Sequence, residues 1–284
     1  MADINRTNTI ALPSEVSNEI LQGVQNESAI MRLARQITLP GRGVTIPVIT
    51  GDPTGAWVAE TEAKPVSNAT LSTKLMRAYK IAVIETFSKE FIRDSAALYD
   101  ALVKRLPLAL AAVFDSTVIG GTQIPGNDFD TLSGATAQAI GTNTYAGLVA
   151  ADTDIAAHGG VLNGFALGAQ ARGVLLGALD DNKRPLFINS VAEGAIPQIL
   201  GAPTYFNKAL YAAGTPNVIG IAGDWSNAVY GTVEGVQINI SQEATVTSGG
   251  TTINLWQQNM VGVLAEIEVG FRADVTKFNR LTDA

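Results

Sequence analysis

Residues 41–86 place the strongest demand on any fold this chain could adopt. The run ITLPGRGVTIPVI alternates apolar Val44, Ile46 and Val48 with Thr45 and Pro47. A period of two predicts a strand, and Pro47, which cannot donate to a ladder, restricts it to an edge or a solitary ribbon. GDPTG turns the chain, and TLSTKLMRAYKIAVIETFS returns with Leu71, Thr73, Leu75, Arg77 and Tyr79 on one side of the same period. Between the two runs lies GAWVAETEAKPVSN, with one tryptophan, two glutamates and a Lys-Pro pair. The expectation is one long hairpin with a polar tip. A two-stranded ribbon is marginal in water, and this one has little to pack on within its own chain, so a partner chain would have to supply the missing contacts.

The remainder is rich enough in apolar residues, at 46% of 284, to build one large core or two modest ones. A net charge of -7 predicts a surface that repels nucleic acid and anionic lipid as a whole, with only local or weak contact to DNA. Cysteine is absent, which excludes disulfides, thiolate zinc sites and cysteine nucleophiles. The N-terminal MADINRTNTIALPSEVSNEI lacks a basic segment followed by an apolar core, and no stretch reaches the roughly 18 apolar residues of a membrane span. A protein made and used in the cytoplasm is expected.

Ser14 and Glu15 open a short helical run through Val16, Ile20, Leu21 and Val24, continued by Ile30, Leu33 and Ala34. Residues 88–121 carry the strongest helical signal, from a Ser88 cap through Phe91, Leu98, Leu102, Leu106, Leu110, Val113 and Thr117 to a stop at Gly120-Gly121. Pro107 lies inside it and predicts a kink or a break. TYAGLVAADTDIAAHGG reads as another helix, GFALGA as a strand and ARGVLLGAL as a short helix. VIGIAGDW, AVYGTVEGVQINIS and MVGVLAEIEVGFRADV are β-rich. Helices and strands mix without a βαβ rhythm, so the class is α+β.

The usual catalytic spacings are missing: there is no G-x-S-x-G, no phosphate loop and no H-E-x-x-H. His158, the single histidine, reads as a polar residue at the negative end of a helix rather than a base. Asp152 and Asp154 imitate the start of a calcium loop, but the later ligands do not follow. Gly120-Gly121 is a helix cap rather than a phosphate cradle. No cofactor and no metal is expected.

Six segments in order carry a more specific message: WVAETEAKPVSN, FDSTVIGG, GFALGAQARGVLLGALDDNKRPLF, LGAPTYFNKAL, IAGDWSNAVYGTVEGVQINISQEA and QNMVGVLAEIEVGFRADVTKFNRLT. Together they resemble the landmarks of tailed-bacteriophage major capsid proteins of the Hong Kong 97 type, over nearly the whole chain after residue 12. The resemblance implies an N-terminal arm at 1–40 and an extended loop at 41–87 lying over a neighbouring subunit. It implies a peripheral domain at 88–121 plus 259–284 around a spine helix, and an axial domain at 122–258. The implied function is that of a structural protein, a virion capsid subunit that self-assembles as pentamers and hexamers into an icosahedral shell around packaged double-stranded DNA. The DNA would be confined without sequence-specific binding. Assembly would take place in the bacterial host cytoplasm, with portal and decoration proteins as further partners. Because Met1 stands directly at the arm, a separate scaffolding protein, or none, is expected.

Trp57, Glu60, Glu62 and Lys64 of the loop, with Arg32, Arg35 and Arg42 upstream, are the candidate contacts between subunits. The founding member of the family resembles this chain at Lys64, Asn259 and Glu266, where it makes an intersubunit isopeptide bond. That chemistry needs a neutral lysine amine attacking the Asn259 amide while Glu266, in an apolar setting formed by Val261, Val263, Leu264 and Ile267, takes the proton. Asn259 and Glu266 are seven residues apart and would face opposite sides of a straight strand, so the asparagine must lie beyond the strand end or at a bulge. The plainer reading makes Lys64 and Glu266 members of ordinary intersubunit ion pairs and Asn259 a turn residue. Two rivals stand beside the phage reading. One is an encapsulin-type bacterial compartment of the same fold; the other is a soluble hydrolase whose site is built from distant residues.

Overall fold

The computed structural model describes residues 14–41, 43–51, 55–61, 63, 64, 66, 70–92, 95–180, 182–187 and 198–284. The chain opens with α1 (Ser14–Glu27), α2 (Ala29–Leu33) and β1 (Arg35–Thr38). Ser28 starts α2 because its hydroxyl accepts from the Met31 N–H, satisfying a donor that the first turn leaves free. β2 (Val44–Gly51) and β3 (Thr70–Met76) pair antiparallel with each other. β4 (Tyr79–Ser88) follows after two residues and pairs with β14 (below) over ten residues, from Tyr79 opposite Val269 to Ser88 opposite Met260. The hairpin expected over 41–86 is therefore shorter. Met76 is fully buried beside Leu39 and Val229, and past this anchor Tyr79, Ile81, Val83 and Phe87 lie against the main core.

The helical run divides into α3 (Lys89–Ile92) and α4 (Ser95–Gly120), and Ser88, the last residue of β4, stands directly before α3. α4 continues through Pro107 as one helix, so the break expected there does not occur. Pro107 is buried against α1: a Cβ on Gly23 would lie 2.8 Å from its Cγ, so the glycine makes room for the ring. The buried stripe of α4 is Leu106, Leu110, Phe114 and Val118, the i, i+4 spacing of one helix face. Val113, expected inside, is 44% exposed because Phe114 takes the inner position.

The chain then forms β5 (Thr136–Ala139), α5 (Thr144–Ala157), β6 (Gly164–Leu167), α6 (Ala169–Gly177), β7 (Gln198–Ile199), β8 (Ala202–Phe206) and β9 (Val218–Gly223). It closes with β10 (Ala228–Thr232), β11 (Gln237–Ser241), β12 (Thr245–Ser248), β13 (Thr251–Asn254), β14 (Met260–Ala273) and β15 (Phe278–Thr282). Two sheets organise it. One contains β1, β10, β14, β11 and β4; the other has the order β5-β15-β9-β6-β8-β7. Along β14, Val261, Val263, Ala265, Ile267, Val269, Phe271 and Ala273 are buried, whereas Leu264, Glu266 and Glu268 are part-exposed. This is the alternation of a sheet with one covered face. β6 is buried on both faces: Phe165 and Leu167 belong to one core cluster and Ala166 to the other, which explains why GFAL and VIGIAG read as unbroken apolar runs.

α4 is fastened to the first sheet by edge-to-face rings, Phe114 lying 6.0 Å from Phe271 and 6.2 Å from Phe129. The boundary expected at residue 259 cuts across the sheets. β10 and β11 pair with β14, while β15 leaves the C-terminal segment to join β5 and β9.

Candidate assembly surfaces

The β2–β3 ribbon pairs with no third strand among the described residues. Beyond it, Trp57 is fully exposed, Val66 is 89% exposed, and Glu60 and Lys64 are exposed too. Glu62 and Arg42 lie outside the described residues. A bare indole held away from its own core is the kind of side chain that anchors a protein interface when a partner covers it.

The segment upstream of the ribbon is docked on α4 through a buried polar hub. Asp115, fully buried, accepts from Ser28 Oγ at 2.5 Å, from the Ala29 N–H at 3.1 Å and from Asn207 Nδ2 at 2.7 Å. Asn207 Nδ2 also donates to the Glu27 carbonyl at 2.7 Å. Burial pushes the Asp115 carboxyl up to about 7, against the opposing pull of the Ser28, Ala29, Ile30 and Asn207 hydrogen bonds. Arg32 is exposed but spends its guanidinium within the chain, 4.1 Å over the Tyr205 ring. Arg35 is exposed at the start of β1, opposite Val229.

Asn259 lies just beyond the end of β14 with φ +54, exposed, with its N–H donating to the Trp256 carbonyl and its carbonyl accepting from Lys89. This satisfies the geometric requirement that the asparagine stand outside the strand. Glu266 departs from the expected setting. Val261, Val263 and Ile267 are buried on the opposite face of β14, and Glu266 Oε2 instead accepts from Lys80 Nζ at 3.0 Å. That hydrogen bond and the Glu266 charge raise the Lys80 pKa, with Glu268 adding to it. Lys80 has no sequence signal of its own. It meets Glu266 because the antiparallel register sets Lys80 and Ala82 opposite Glu268 and Glu266.

His158 caps α5, its Nδ1 2.8 Å from the Asp154 carbonyl oxygen, with Gly159 following at φ +74. Asp152 and Asp154 are residues of α5. Among the described residues no group of three or more His, Cys, Asp or Glu side chains is placed to hold a metal ion.

A two-stranded ribbon without a third strand, a long helix packed on a mixed sheet and a second, six-stranded sheet together make up the architecture. The phage capsid family model matches residues 8–277, and the chain belongs to that family. A probable major capsid protein of Mycobacterium phage D29 is 28% identical over 291 aligned residues, covering 96% of this chain and 90% of the relative. The major capsid protein of Staphylococcus phage 80alpha is 24% identical, covering 96% and 85%. Among solved structures, one from Microbacterium phage Oxtober96 aligns with TM-score 0.72 at 23% identity over 90% of this chain and 91% of that one. The capsid of an empty GTA particle aligns with TM-score 0.66 at 15% identity over 91% and 90%. The α+β class and the Hong Kong 97-like fold hold, and the encapsulin reading is not favoured. The family is structural rather than enzymatic.

Proposed function

We propose that this tailed-phage major capsid protein assembles as pentamers and hexamers into an icosahedral shell that encloses packaged double-stranded DNA. The observation that carries the reading is a ribbon with no third strand among the described residues and Trp57 in water beyond it, since the missing contacts are those a neighbouring subunit would make. Within this reading residues 1–40 act as the arm and 41–87, ending in the strand that joins the first sheet, as the extended loop. The peripheral domain takes 88–121, 228–241 and β14; the axial domain takes the second sheet, β15 included. The negative surface confines DNA without sequence-specific binding. Scaffolding, portal and decoration proteins are the further partners, and assembly takes place in the host cytoplasm. The test is the native mass of the purified chain by size-exclusion light scattering, beside a deletion of residues 52–68. Megadalton particles or discrete pentamers and hexamers from the full chain, and none from the still-folded deletion, are expected. A full chain that stays monomeric under all assembly conditions overturns the proposal.

The subunits are held without covalent bonds. Glu266 is occupied by Lys80 on the solvent face rather than set among apolar side chains, so it does not have the setting of a desolvated base. Boiled shells should run as one band near 29.7 kDa on a denaturing gel; a ladder lost in Lys64→Ala would establish the isopeptide bond instead.

A further inference from the structure

Where the ribbon leaves the body, five charged side chains from three segments converge. Arg272 of β14, with only 10% of its side chain exposed, pairs with Asp130 at 2.7 Å and Asp128 at 3.2 Å. Its Nε also donates to the Leu75 carbonyl of β3 at 2.8 Å, and its Nη2 reaches the same oxygen. From the ribbon side, Lys74 Nζ reaches Asp130 at 3.2 Å and the Ala273 carbonyl at 3.3 Å. Arg77 Nε lies 3.4 Å from Asp128.

The carboxylates are themselves rigidly placed. The Asp130 N–H donates to the Phe271 carbonyl at 3.0 Å, and its carboxylate accepts from the Ala273 N–H at 3.2 Å. Beside the cluster Met76 is the only fully buried side chain of β3 among those described. Gly270 lets the chain pass: a Cβ there would lie 2.5 Å from the Arg77 carbonyl oxygen.

We propose that Lys74, Arg77, Asp128, Asp130 and Arg272 form an electrostatic clamp that fixes the angle of the ribbon to the body, with Met76 as its pivot. An apolar anchor, Met76 with Val44 and Ala78 packed against its cluster, resists withdrawal but sets direction weakly, because dispersion contacts have little directional preference. Directional hydrogen bonds and ion pairs on both sides of the anchor set it strongly. The clamp has two layers. Arg272, shielded from water, would be a nearly uncompensated charge without Asp128 and Asp130 and holds the backbone of Leu75 directly. Lys74 and Arg77 are 41% and 59% exposed, so their share is screened by salt. The ribbon is thus presented at a set angle yet can be released by loosening polar contacts, without opening the core. This holds for the single chain and does not depend on the shell reading.

The absence of native cysteine makes the test direct. Ala56→Cys and Ala82→Cys, both at exposed positions, carry spin labels in the full chain, diluted with unlabelled chain so that only intrachain distances register. Pulsed dipolar spectroscopy should show the distance distribution at least doubling in width in Asp130→Asn. A distribution matching that of the parent overturns the clamp. Should circular dichroism show Asp130→Asn to be unfolded, the peripheral pair Lys74→Met with Arg77→Met decides: a broadened distribution in that folded variant supports the proposal, and an unchanged one refutes it.

Discussion

Asp115 is a carboxylate ringed by donors, with no cation among its hydrogen-bond partners in the described residues. The donors favour its ionised form and burial opposes it, and burial prevails: the group titrates near 7 in the fold against an ordinary 3.8. Between those values the folded chain keeps a proton that the unfolded chain has released, so folding is favoured most below 3.8 and the contribution disappears as pH rises through about 7. Urea titrations at pH 5 and pH 8 should show the parent losing more stability at the higher pH than Asp115→Asn does; parallel losses would place the titration elsewhere. At pH 5 the substitution itself should cost about 1–3 kcal/mol, because an amide N–H₂ then faces other donors. A signal for this hub was present in the sequence. Asp115 falls four residues after Ala111 and three before Val118, on the apolar stripe of α4. Its partners Ser28 and Asn207, 87 and 92 residues away, had none.

At the scale of elements, α1 and α4 meet where Gly23 faces Pro107. Proline in a helix interior costs about 3 kcal/mol, and here the ring is buried as a packing surface instead of ending the helix. Gly23→Ala would push a methyl group into a rigid ring, and we expect a loss of about 1–3 kcal/mol in chemical denaturation; an unchanged midpoint would mean that the helices can part freely. β14 shows the other side of element formation. Its alternation was legible over MVGVLAEIEVGFRADV, yet the same pattern could not say that β4 runs along one edge while β10 and β11 share the other. The hairpin was legible as two strands with Pro47 on an unsupported ribbon, and Pro47 does pair only within it, opposite Thr73. Its length was misread because period two continues across Arg77 and Ala78, where Met76 has already entered the core.

For the whole molecule, the division between a self-sufficient body and an unsupported ribbon governs what mutations do. Trp57→Ala removes a side chain that touches nothing it needs in the isolated chain, so the free energy of unfolding should stay within about 0.5 kcal/mol of the parent. Shell yield, read by light scattering or negative-stain microscopy, should fall sharply; full yield would show that the indole is not an interface anchor. The sequence by itself determined the α+β class, the long helix, the ribbon and the family, because periodicity, turn residues and ordered landmarks are local and survive being read one window at a time. Only the tertiary structure decided which strands share a sheet, that Glu266 belongs to Lys80, and that Lys74, Arg77, Asp128, Asp130 and Arg272 meet at the ribbon root. Those are contacts between residues far apart in the chain, set by register and by the competition for buried space, and no local pattern encodes either.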